Sequence, residues 1–173
     1  MPASVICVFW PSCRSRSSLI VIGVEIAGAL KNVVAIAVGI CDGLDTGLNA
    51  RAGIMTRGLR EIARVGEALG ANPLTFQGLS GMGDLILTCT GDLSRNRTVG
   101  LELGRGRSIQ EITAGMNQVA EGVRTTYAVC DLADRLGIEM PIAVAVRSVL
   151  EAELSPAEVG HMLMTRQLRS ESE

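Results

Sequence analysis

Three short stretches carry residue types that could do chemistry. Lys31 is the one cation in an otherwise apolar run, with Glu25 and Asn32 the polar groups nearest to it. Asp84 opens a second apolar run directly after Gly78-Leu79-Ser80-Gly81-Met82-Gly83. Ser94-Arg95-Asn96-Arg97 offers a hydroxyl, an amide and two guanidinium groups in four residues. An amine can move a proton to or from a substrate oxygen. Ser94 is a natural helix N-cap, and a helix start binds anions through its unpaired N–H groups and its dipole. Together these point to a pocket for a small phosphorylated compound. The same residue types also describe a glycine-bent loop, a helix with two solvated arginines, and a lysine whose stem snorkels to water.

The elements that must position these groups read as helices. Ile26, Leu30, Val33, Ala37 and Ile40 recur at three- and four-residue steps, and Val34, Ala35, Ile36 and Val38 fill the other faces. A helix apolar all round lies inside a bundle, here from about Gly23 to Ile40. Gly28 and Ala27 are candidates for a close helix crossing. Ser18 to Ile22 reads as a short strand remnant or a lead into this helix. A second, amphipathic helix is expected from about Ala50 to Leu69. Its stripe is Met55, Ile62, Val65 and Leu69; Arg57, Arg60, Glu61, Arg64 and Glu67 cover its solvent face, with Glu61 and Arg64 spaced to pair. Gly70 ends it.

The glycine-rich stretch reads as a loop leading into a helix through Leu85 to Cys89, with another helix starting near Ser94. Ser108 to Glu111 and Ser155 to Glu158 are capping boxes. Gly137 stops one helix and Pro141 starts the next. The expected architecture is a mostly α, compact bundle of seven or eight helices. Residues 1–18 read as an irregular segment, 19–165 as the helical domain and 166–173 as a frayed tail.

Composition narrows the function. Of 173 residues, 47% are hydrophobic but only 2% aromatic, so the core is aliphatic and no base-stacking platform is expected. The formal charge of −2 gives no basic field for nucleic acid. Five scattered cysteines without a C-x-x-C suggest a reducing compartment, hence the cytoplasm, and neither a disulfide framework nor a zinc site. One histidine, His161, rules out a His-based triad or multi-histidine metal site. The apolar run from Asn32 to Cys41, bracketed by Lys31 and Asp42, is too short to span a membrane. No G-x-G-x-x-G follows a strand and no Walker-type lysine occurs, so no nucleotide-binding domain is recognisable.

Three blocks in order resemble one family. Gly23-Val24-Glu25-Ile26-Ala27-Gly28-Ala29-Leu30-Lys31-Asn32-Val33 is similar to the start of the C-terminal half of bacterial NAD(P)-dependent glycerol-3-phosphate dehydrogenases. Gly78 to Leu85 with Thr88-Cys89-Thr90 and Leu93 to Arg97 resembles that family's substrate loop, and Glu121-Gly122-Val123-Arg124-Thr125-Thr126 a third block. The resemblance covers about Gly23 to Leu154. It implies an all-helical domain similar to that of 6-phosphogluconate dehydrogenase. Lys31 then falls at the catalytic lysine, the proton acceptor for the glycerol hydroxyl. Asp84, Ser94, Arg95 and Asn96 fall at substrate positions, and Arg95, Val119 and Glu121 at positions touching NAD or NADP. A small phosphorylated substrate, a role in glycerophospholipid synthesis and a homodimer are part of the same expectation. The family's N-terminal Rossmann half has no counterpart, so a fragment inactive or weakly active alone is expected. The alternative is a non-catalytic helical module for oligomerisation or partner binding.

Overall fold

The computed structural model describes residues 16–116 and 120–165. Among these, the chain forms nine α-helices, one π-helical turn and no strand. They are α1 (Arg16–Gly43), α2 (Leu48–Ala68), α3 (Leu74–Gln77), the π turn (Leu79–Gly83), α4 (Asp84–Thr90), α5 (Arg95–Gly104), α6 (Ile109–Ala114), α7 (Glu121–Leu136), α8 (Pro141–Leu150) and α9 (Pro156–Thr165). Ser18 to Ile22 belongs to α1, which begins at Arg16, inside the segment read as irregular. The irregular segment expected before Arg16 and the frayed tail expected over 166–173 lie outside the described residues.

Helix α1 is the axis of the bundle. From Leu30 onward nearly every face is covered: Ala35, Ile36 and Val38 are fully buried, and α2, α4, α5, α7 and α8 all pack on it. Burying a side chain such as Ile36 contributes roughly 1.5–3 kcal/mol. Leu19–Gly43 has a mean hydropathy of 2.0 and is long and apolar enough to cross a membrane, contrary to the shorter run read from the sequence. Here the apolar residues from Leu30 onward form the core, while Ile20, Val21 and Val24 are exposed. Of the charged residues of α1, Lys31 and Asp42 are each met by an opposite charge from another element.

Glycines set the closest crossing, but not at Gly28, where an added Cβ would meet nothing within 4 Å. The crossing lies a few turns further along α1. A Cβ at Gly39 would sit 2.1 Å from the Arg97 carbonyl, and one at Gly100 would sit 2.0 Å from the Ile36 carbonyl. Gly43 and Gly104 meet in the same way one turn on. Backbone lies on backbone, which only glycine permits.

The ends follow local sequence. Ser108 and Glu111 form the capping box of α6, and Ser155 and Glu158 pair reciprocally across the start of α9. Gly70 and Gly137 adopt positive φ just beyond α2 and α7. Pro141 opens α8.

Two expectations are corrected. The glycine-rich stretch is not an open loop. It is a π turn that runs straight into α4, and a Cβ at Gly81 would lie 2.3 Å from the Phe76 carbonyl. Its glycine serves internal packing. Glu61 does not face solvent. It is buried, and its carboxylate accepts the N–H groups of Ile142 at 2.9 Å and Ala143 at 3.4 Å. A side chain from α2 thus caps the N-terminus of α8, satisfying donors that have no partner within that helix.

Candidate active site

Lys31 lies on the half-buried side of α1, and Asp84 is the first residue of α4, a position where the helix dipole favours an acid. Packing of α4 on α1 brings them together across 53 residues: Lys31 Nζ donates to Asp84 Oδ2 at 2.5 Å. The side chains are 22% and 35% exposed, so the pair is fixed yet open to a ligand. The lysine is therefore held by a carboxylate, which a simple snorkel into solvent does not require.

The Ser-Arg-Asn-Arg corner forms the start of α5, and its members separate by role. Ser94 is the N-cap; its Oγ accepts from the Arg97 N–H at 3.3 Å. Asn96 Oδ1 accepts the Gly122 N–H at 2.9 Å, tying α5 to the first turn of α7. Its NH2 group keeps two donors for other acceptors. Gly122 is packed so closely that an added Cβ would lie 2.7 Å from Asn96 Oδ1 and 2.8 Å from the Asn32 carbonyl. Asn32 directly follows Lys31 in the chain, so Gly122, the residue that Asn96 holds, packs on α1 one residue from the lysine. Arg95 and Glu121, the first residues of α5 and α7, are both exposed. Val119 lies outside the described residues.

Arg97 behaves differently. Its Nε donates to Asp42 Oδ2 at 2.8 Å and its Nη1 to Asp92 Oδ1 at 3.3 Å. Arg51 donates to Asp42 Oδ1 through Nη2 at 2.7 Å and Nε at 3.0 Å. The second guanidinium of the corner is thus committed inside the protein. Sequence reasoning gave Asp42 no role beyond bracketing an apolar run. The usable signal was its spacing: eleven residues from Lys31 is about three helical turns, which puts both charges on one side of α1.

The thiols near the site are buried, which disfavours their thiolate forms. Burial pushes Cys89 up to about 12, with Arg97 lowering it in part, and raises Cys41 as well. Among the described residues no cluster of His, Cys, Asp or Glu could hold a metal ion. A groove of about 580 Å³ lined by Leu103, Arg107, Tyr127, Glu151 and Ser155, among others, is bounded by neither Lys31 nor Asp84.

Arg95 offers an exposed guanidinium at a helix start, suited to phosphate oxygens. Glu121 offers an exposed carboxylate, suited to hydroxyl or amide donors.

Known proteins resemble this chain over most of its length. The family model described as NAD-dependent glycerol-3-phosphate dehydrogenase C-terminus matches residues 21–161. A protein of Lawsonia intracellularis named glycerol-3-phosphate dehydrogenase [NAD(P)+] is 58% identical over 94% of this chain and 46% of its own length. A protein of the same name from Leptospira biflexa is 56% identical over 87% of this chain and 45% of its own. The crystal structure of glycerol-3-phosphate dehydrogenase from Coxiella burnetii superimposes with a TM-score of 0.82 at 45% identity, covering 84% of this chain and 45% of that one. The Dunaliella salina enzyme structure gives 0.74 at 28% identity. The chain therefore spans about half the length of the curated relatives it matches, 46% of the Lawsonia protein.

Proposed function

Because the chain belongs to the family of NAD-dependent glycerol-3-phosphate dehydrogenase C-terminal domains, we propose that it supplies the substrate side of that reaction, interconverting sn-glycerol 3-phosphate and dihydroxyacetone phosphate. The observation that carries the reading is the Lys31–Asp84 pair, which joins an amine and a carboxylate across 53 residues. NAD or NADP is the family's cofactor, and when bound it takes or gives the hydride. As the neutral amine, Lys31 accepts the proton of the substrate's secondary hydroxyl on oxidation, and as the ammonium it returns that proton to the developing alkoxide on reduction. Asp84 holds the amine in place. Ser94, Arg95 and Asn96 bind the polar end of the substrate and orient it, a contribution of positioning rather than bond-making. Arg95, Val119 and Glu121 are the candidates for touching the dinucleotide. The free thiols of Cys41, Cys89 and Cys130 support a cytoplasmic setting.

The test is calorimetric titration of the chain with sn-glycerol 3-phosphate, alongside an NAD(P)-linked turnover assay. Binding that is lost in Asp84→Asn and Asn96→Ala supports the reading. Where turnover is measurable, Lys31→Ala lowers it by roughly 10²–10⁴-fold, the range of a positioned acid or base. A chain that binds the substrate equally well without Lys31, Asp84 and Asn96 overturns the site assignment.

One observation favours a second reading, a helical association module. Leu79, Leu87 and Leu93 are 90%, 69% and 98% exposed around α4. Sedimentation that reports a dimer of the wild-type chain and a monomer of Leu87→Lys, with no substrate binding by either, selects that module.

A further inference from the structure

Asp42 carries its charge where its own helix disfavours it. It lies in the last turn of α1, at the carbonyl end, which repels an anion. Arg97 is the mirror case, a cation in the first turn of α5, where amide N–H groups repel it. Arg51, in the first turn of α2, is a third charge set against its helix. The three meet. Both oxygens of one carboxylate are taken by the two guanidiniums, with the Asp42 side chain 10% exposed and Arg97 18%. Each charge is thus compensated mainly by the others, and only while the three helix ends stay in register. Arg97 directly follows Ser94-Arg95-Asn96, and its backbone N–H is the one that Ser94 caps.

We propose that Asp42 is a positioning residue for the Ser94–Asn96 corner, acting through Arg97. The inference rests on the reading of that corner as substrate-binding. The glycine crossing lets α5 come against α1, but close-packed glycines alone leave rotation about the contact weakly resisted. The Asp42–Arg97 bond removes that freedom at the end of α5 that faces substrate, so that Asn96 meets Gly122.

The test is amide hydrogen exchange on the full chain, with Asp42→Asn, Arg97→Gln and the double variant. The reporter is the Gly122 N–H, which Asn96 holds. The reference is the Ile142 and Ala143 N–H pair, which Glu61 holds in another part of the fold. Each single variant is expected to speed Gly122 exchange by about tenfold, and the double variant by no more than either single, as interacting partners do. Ile142 and Ala143 keep their rates, and Asp42→Glu restores part of the Gly122 protection. Titration with sn-glycerol 3-phosphate shows a matching loss of affinity in Asp42→Asn.

An unchanged Gly122 rate overturns the proposal. So does a rise matched at Ile142 and Ala143, which marks general loosening, or loosening at Gly122 that leaves substrate affinity intact. Should Asp42→Asn not fold, Asp42→Glu and Arg97→Lys give the same comparison at smaller amplitude. If the wild-type chain binds no sn-glycerol 3-phosphate, the functional reading fails, while Gly122 exchange still decides whether Asp42 positions the corner.

Discussion

At the scale of single residues, the fold uses carboxylates in three different ways. Asp84 is half-exposed and meets one amine, which suits a group that must release or orient a substrate. Asp42 is mostly enclosed and meets two guanidiniums, a structural arrangement. Glu61 is 3% exposed and accepts two backbone N–H groups. Removing the last leaves those donors buried without partners, so Glu61→Ala is expected to destabilise the chain by about 2–3 kcal/mol. Urea denaturation checks this: the midpoint falls while the slope is kept. Glu61→Gln, which retains an acceptor oxygen, loses less. A loss below 0.5 kcal/mol, the usual range of surface substitutions, would return Glu61 to the exposed role that its neighbouring arginines suggested.

At the scale of elements, two glycines of α1 and α5 make opposite predictions. Gly100→Ala pushes a methyl group onto the Ile36 carbonyl at 2.0 Å, against backbone that cannot step aside. It is expected to cost at least about 1–3 kcal/mol and to disturb the α5 corner with it. Gly28→Ala fills open space in mid-helix and is expected to stabilise by roughly 0.5–1 kcal/mol. Thermal unfolding of the two variants side by side decides whether the crossing is where the structure puts it. Equal shifts of the same sign would contradict it. The sequence made glycine-mediated packing legible, but not the helix turn at which it happens. A 3.6-residue period marks buried positions without saying which neighbour occupies them. Helix ends were easier to read. Ser108-x-x-Glu111, Ser155-x-x-Glu158, Gly137 and Pro141 act through partners within four residues, and the structure has each of them at a helix end.

At the scale of the whole molecule, stability has a pH window with a distinct cause at each edge. The Cys41, Cys89 and Cys130 thiols are raised by burial, Cys89 to about 12 and Cys130 to about 11. The folded state keeps these protons after the unfolded chain has released them near 9. Stability is therefore full below that pH and falls as pH rises toward 12. Glu102, Glu111 and Glu158 are held below the ordinary carboxylate value, Glu102 by Arg107 and Arg105, the other two by Ser108 and Ser155 of their capping boxes. Their contribution is present above 4.5 and is lost as pH falls below it. Unfolding midpoints measured across pH are expected to form a plateau with two shoulders. Cys89→Ala shallows the alkaline one, and Glu111→Gln shallows the acidic one. An alkaline limb that is unmoved in Cys89→Ala would show that the buried thiol does not carry it.

What the sequence by itself determined is local or compositional. It includes the helical period, the caps and stops, the aliphatic core, and the residue types gathered at Lys31, Asp84 and Ser94 to Asn96. Each depends on a residue and its near neighbours in the chain. Tertiary structure alone decided which polar groups share an enclosed space. It put Asp84 on Lys31 across 53 residues, Asn96 on the Gly122 N–H, Arg97 on Asp42 rather than toward a ligand, and Glu61 under α8. The physical reason is that a charge or an unpaired N–H becomes costly only once packing removes water from it. Where water is removed depends on how distant helices meet.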